Sequence, residues 1–181
     1  MSRILFLLFS FLSCCTPTLE GFNAEECGGL VGDIACDFDL VDMHGEPNTL
    51  WEHHEKVIIL DFSAIWCGPC QVAAFFSESI LEAYPEDEIV WITVLTSNMT
   101  GGIPTADDLE LWVTHFDLID ERSVVLSADK TLLTGYFIDG YPTFYFMNKD
   151  MEITDTITGW SAPLLTQAID DAFVSTEASD Q

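Results

Sequence analysis

Val57-Ile58-Ile59-Leu60-Asp61-Phe62-Ser63-Ala64-Ile65-Trp66-Cys67-Gly68-Pro69-Cys70 is the stretch that decides the architecture. Its first seven residues form a β-branched and apolar run, the pattern of a strand buried on both faces. The C-x-x-C that follows has a Gly-Pro centre suited to opening a helix. Beyond it, Val72, Phe75, Phe76, Ser79, Ile80 and Ala83 recur at steps of three and four, which predicts a helix with those residues on its inner face.

Outward from this unit the pattern alternates. Ile89 to Leu95 reads as a second buried strand, and Asn98 to Pro104 as a loop. Thr105 is the expected N-cap of a helix with Asp107 and Asp108 in its first turn and Leu109, Trp112, Val113 and Phe116 inside. Val124 to Leu126 predicts a short strand, and Lys130 to Phe137 a short helix. Thr143 to Met147 and Glu152 to Thr158 predict an antiparallel hairpin joined at Asn148-Lys149-Asp150. A last helix is expected from Pro163 to Phe173, with a polar, disordered tail over 175–181. Before the central unit, Asp37 to Asp42 and Thr49-Leu50 predict a β-hairpin. The sum is one α/β domain over 31–174, a mixed sheet flanked by helices.

The N-terminus is of another kind. Met1-Ser2-Arg3 precedes a short apolar run, Ile4 to Leu12, which is the pattern of an export signal. Leu12-Ser13-Cys14-Cys15 resembles a bacterial lipoprotein processing site, with Cys15 the residue that would take the lipid and Cys14 the alternative. Residues 1–15 are thus read as the signal and 16–30 as a linker. Simple secretion and an uncleaved anchor stay open. Every case places the domain outside the cytosol, and the expected location is a bacterial periplasm, tethered to the membrane.

Composition excludes several functions. Five Lys+Arg stand against 31 Asp+Glu, a formal net charge of -26. Such a field repels phosphate backbones, so nucleic acid is excluded as a partner. It also repels anionic headgroups, which leaves a lipid anchor as the route to a membrane.

Outside the cytosol, cysteines pair. Cys27 and Cys36 close a Gly-rich loop and are read as a structural disulfide, with a redox relay to the C-x-x-C or free thiols as the alternatives. Cys67 and Cys70 have different spacing. A helix N-terminus favours the thiolate, the nucleophile of disulfide exchange, and a second cysteine three residues on lies on the same face. A zinc half-site is the competing reading, but no second C-x-x-C or H-x₃₋₅-H exists. His53-His54 reads as a solvated pair. No metal and no cofactor are expected.

The central stretch resembles the thioredoxin active-site segment. More narrowly, Val31 to Leu40 and the insertion from Ser97 to Glu121 resemble the exported TlpA/ResA-type branch and its peroxiredoxin-like (AhpC/TSA) relatives, with Cys36 where proline is usual. The resemblance runs from Val31 to Phe173 and implies a thioredoxin fold with an N-terminal β-hairpin and a helical insertion. It implies that Cys67 attacks, that Cys70 resolves, and that Asp61 is the buried acid that takes the Cys70 proton. Trp66, Gly68, Pro69, Tyr141 and Pro142 would line the substrate site, with Tyr141-Pro142 matching the family's cis-proline loop. The implied activity is reduction of disulfides in exported partner proteins, with a separate and membrane-bound thiol donor restoring the dithiol. A copper-binding module on the same fold is the alternative. A thiol peroxidase fits less well, because Phe62 to Trp66 offers no Thr or Pro before the cysteine.

Overall fold

Strand β3 (Val57–Ser63) is buried at every position, as is β4 (Ile89–Leu95), and the two lie side by side in parallel. The computed structural model describes residues 27–118 and 121–179. The signal, most of the linker, Cys14 and Cys15 lie outside the described residues.

Around this pair the sheet grows in both directions. The elements are β1 (Asp39–Val41), β2 (Pro47–Thr49), β5 (Ser123–Ser127), β6 (Thr143–Met147) and β7 (Ile153–Thr158). Spatial order is β2-β1-β5-β4-β3-β6-β7. β4 and β5 are parallel, and the other pairs are antiparallel. Helices α1 (Gly68–Leu81), α2 (Ala106–Phe116) and α3 (Ala162–Ser179) complete the described chain. This is the expected mixed, helix-flanked sheet with its N-terminal hairpin.

Strand alternation sorts the core into two layers. Ile58, Leu60 and Phe62 pack with Val90, Ile92, Tyr145 and Met147 on one face. Val57 and Ile59 pack on the other with Trp91, Phe144, Ala73 of α1 and Leu165 of α3. Asp61 continues the Val57-Ile59 row, so its side chain points to the α1 layer.

Four expectations change. The inner face of α1 is Cys70, Ala73, Ala74, Ser77 and Leu81, while Val72, Phe75 and Phe76 are exposed. Small residues let the helix sit close on the sheet, and the larger ones are turned out. The expected helix over Lys130 to Phe137 is only a 3-10 turn, Lys130–Leu132. Asp129 accepts the Thr131 N–H there, and Gly135 then takes φ +89°, ending any helical path. A Cβ at Gly135 would stand 2.5 Å from Cys36 Sγ. α3 runs on through Ser179, past the expected start of a disordered tail at 175. Finally, ordered structure reaches back to Cys27 rather than 31. Cys27 is bonded to Cys36, and Gly28 bridges Ala35.

Candidate active site

Between β3 and α1 the chain has four residues in which to leave a strand and start a helix. Cys67 is the N-cap of α1, with extended backbone, and Pro69 occupies the first turn. Cys67 Sγ accepts the Cys70 N–H at 3.3 Å, so the sulfur takes the role that a Ser or Asp oxygen has at other helix starts. Cys67 and Cys70 are joined as a disulfide, their Cα atoms 5.2 Å apart. Cys70 is fully buried and Cys67 is 5% exposed, so the outer sulfur is the one within reach. Gln71 Nε2 donates to Ile65 O at 2.8 Å and braces the connection.

Trp66 stands half exposed at the rim. Its indole N–H donates to Ser97 Oγ at 3.0 Å, and its ring meets Tyr141 edge-on at 5.9 Å. The Tyr141–Pro142 peptide is cis. Tyr141 OH lies 2.6 Å from Thr96 Oγ1, and Pro142 O accepts the Gly159 N–H at 2.8 Å. An opening of about 450 Å³ is lined by Trp66, Cys67, Gly68 and Pro69 on one side and by Lys130, Gly140 and Tyr141 on the other. The Lys130 ammonium lies over the Tyr141 ring at 5.7 Å and is hydrogen-bonded to Ile138 O.

On β3, before the strand-to-helix turn that carries Trp66 and Cys67, Asp61 is fully buried. Ser63 Oγ donates to its Oδ1 at 2.6 Å, and Thr93 Oγ1 reaches Oδ2 at 3.5 Å. Trp91 Nε1 is buried with no partner in hydrogen-bond geometry, and its N–H also pulls the carboxyl down. Desolvation outweighs these donors and pushes the Asp61 carboxyl up to about 7. A carboxyl that exchanges its proton near neutrality can serve as a base or an acid there.

Trp66, Cys67, Gly68, Pro69 and Tyr141 therefore line one opening, with Cys70 bonded to Cys67, Pro142 in the cis peptide after Tyr141, and Asp61 buried in β3. Cys27 and Cys36 do not join them. They form a separate disulfide, beside which Tyr136 OH donates to Cys36 O at 2.5 Å. His53 is part-buried, 3.2 Å from Asn48 Oδ1, and burial lowers its pKa to about 4. Among the described residues, no group of three His, Cys, Asp or Glu could hold a metal ion. Sequence reasoning missed Ser63, Thr93, Thr96, Ser97 and Lys130. Ser63 and Thr93 carried a signal, since each is a polar residue at the functional end of an apolar strand.

The thioredoxin family matches residues 47–111. "Thiol-disulfide oxidoreductase ResA" of Geobacillus kaustophilus is 28% identical over 138 residues, covering 76% of this chain and 75% of that protein. "Thioredoxin-like protein YneN" of Bacillus subtilis is 25% identical over 140 residues, 77% of this chain and 78% of that one. Among solved structures, the exposed lipoprotein thioredoxin Etrx1 of Streptococcus pneumoniae superposes with a TM-score of 0.60 at 25% identity, covering 75% of this chain and 99% of its own. A DsbE-like thiol:disulfide interchange protein of Chlorobium tepidum, at 20% identity, shares the fold with a TM-score of 0.63, covering 82% of this chain and 99% of its own.

Fold, dithiol and relatives together make this chain a thioredoxin-fold thiol–disulfide oxidoreductase. Within that class its sequence is similar to the ResA proteins and to YneN.

Proposed function

We propose that this protein reduces disulfides in exported partner proteins. The reading is carried by the opening in which Cys67, Trp66 and the cis Tyr141–Pro142 loop face one another. An extended partner chain fits there, pairing with backbone beside Pro142 and placing a disulfide over Cys67. Gly68 and Pro69 leave room for its approach.

In the forward cycle the Cys67 thiolate attacks one partner sulfur, the partner's S–S bond breaks, and the released thiolate takes a proton from solvent. Cys70 then gives its proton to ionised Asp61 and attacks Cys67 Sγ. The mixed disulfide breaks, the Cys67–Cys70 bond forms, and the partner leaves as a dithiol. Two electrons have passed to the partner, and a separate thiol donor, placed at the membrane, returns them. Cys27–Cys36 takes no part and staples the N-terminal loop.

Location rests on the N-terminal pattern. The chain is exported to the periplasm and held by lipid on Cys15. The pneumococcal neighbour, described as an exposed lipoprotein, supports this. Mass spectrometry of the mature N-terminus reads the lipid directly.

The activity is tested by insulin reduction with dithiothreitol as donor. Wild type turns over, Cys67→Ser does not, and Cys70→Ser accumulates a mixed disulfide. Turnover retained by Cys67→Ser would overturn the reading.

A further inference from the structure

Resting on that reading, we infer that the solvent face of α1 is a second part of the substrate site, built for partners that carry apolar side chains beside the disulfide and basic residues around it. Val72, Phe75 and Phe76 are 40%, 67% and 43% exposed. They occupy one stripe of the helix, since positions three and four apart share a face. The sheet-facing side of α1 is complete without them. Single exposed apolar residues are ordinary, whereas a contiguous aromatic patch marks an interaction site.

The patch is continuous with the dithiol opening. Pro69, which lines the opening, is one turn from Val72 on the same helix. Phe75 and Phe76 meet edge to face at 5.1 Å. Phe76 stacks on Trp160 at 5.9 Å and 12°. Trp160 follows Gly159, whose N–H is bonded to Pro142 O. A chain seated beside Pro142 with its sulfur on Cys67 therefore has apolar surface waiting on one side of the point of attack.

Charge selects among occupants. Helix α1, which carries the patch, contains Glu78, and α3 contains Asp170, Asp171 and Glu177; neither helix contains Lys or Arg. The whole chain carries a formal charge of -26. A second copy would bring the same field against itself, and an anionic bilayer would be repelled. A basic protein is drawn in, which raises its encounter rate and helps specify it.

The test uses cystine peptides identical at the disulfide and flanked by Leu and Lys, by Leu and Glu, or by Ser and Lys. Hydroxyethyl disulfide serves as a small neutral control. With wild type, kcat/KM for the Leu/Lys peptide exceeds that for Ser/Lys by about tenfold, the size expected for partial burial of a phenyl ring and leucine. Its advantage over Leu/Glu shrinks as salt rises. Phe75→Ser removes the Leu preference and leaves hydroxyethyl disulfide unchanged. The inference is overturned if Phe75→Ser slows all substrates alike or leaves the preference intact. A dimer, or binding to phosphatidylcholine vesicles, that Phe75→Ser abolishes would assign the patch to a second copy or to lipid instead. Peptide binding to Cys67→Ser/Cys70→Ser, read by tryptophan fluorescence, judges the patch separately. Failure of wild type on hydroxyethyl disulfide would count against the proposed reductase alone.

Discussion

Thr96 Oγ1 and Tyr141 OH lie 2.6 Å apart, across 45 residues of sequence. Thr96 also donates to Ser63 O at 3.3 Å, so its oxygen is left to accept the tyrosine proton. One short bond thus ties the loop after β4 to the cis peptide above the dithiol.

Tyr141→Phe and Thr96→Val each break that tie. A typical net hydrogen bond contributes about 1 kcal/mol. Tyr141→Phe is expected to lose about that much stability in denaturant titration and Thr96→Val more, since it also gives up the bond to Ser63 O, and kcat/KM for a peptide disulfide falls several-fold in both. Because both act on one bond, the double variant costs no more than the worse single one. Simple additivity in that cycle would show that the two hydroxyls act independently.

Burial of Asp61 makes the stability of the fold depend on pH. An unfolded aspartate ionises near its ordinary value of 3.8, and the folded one at about 7. Between those values the folded state binds the extra proton, so stability declines as pH rises through the window. Above about 7 the protein carries a buried carboxylate. Asp61→Asn removes that penalty, and the variant is expected to gain on wild type progressively from about pH 4 to about pH 7. The gain reaches on the order of 1–4 kcal/mol. Meanwhile release of the mixed disulfide slows by roughly 10²-fold, the scale of a lost proton acceptor. Stopped-flow trapping separates this step from the first attack. A variant with the stability of wild type at every pH would show that Asp61 is not protonated in the folded protein.

Where sequence reasoning succeeded, the signal was local. β3 and β4 are uninterrupted apolar runs because both faces are covered, and that composition alone marks them. Thr105 and Asp108 form the capping box that starts α2, a four-residue pattern. The role of Asp61 comes from the family resemblance, carried by the same short segment. The failures share another cause. On α1 the largest apolar residues dominate any hydrophobic period, so Phe75 and Phe76 were assigned inward. The sheet instead accepts only small side chains there, Ala73, Ala74 and Ser77. After Asp129, local propensity for helix gives way to the close approach of Gly135 to Cys36, a contact between segments about a hundred residues apart. The Thr96–Tyr141 bond exists only once the fold has brought β4 and the cis loop together.

The Cys27–Cys36 disulfide closes a separation of nine residues. Loop-closure entropy for so short a ring is worth about 2–3 kcal/mol. Cys27→Ser/Cys36→Ser is therefore expected to unfold at lower denaturant by that amount while keeping its turnover of hydroxyethyl disulfide. Lost turnover in a folded variant would make this pair part of the electron path.

Arg122 supports the end of α1 opposite the dithiol. It is 8% exposed, and its Nη1 donates to Leu81 O at 2.9 Å and Tyr84 O at 3.4 Å. The last carbonyls of a helix lack intrahelical partners, and a cation there opposes the negative end of the dipole. Arg122→Met keeps the aliphatic bulk but removes the donor to Tyr84 O and the charged donor to Leu81 O, which still accepts the Tyr84 N–H. An unsatisfied group costs about 1–3 kcal/mol, so a loss of that order is expected in thermal or urea unfolding. Dipole effects die away within a turn of each helix end, so the acidity of the attacking thiol at the far end stays as in wild type. The pH dependence of iodoacetamide alkylation measures that acidity. A changed alkylation profile in folded Arg122→Met would mean that α1 shifts as a rigid rod when its C-terminal support is removed.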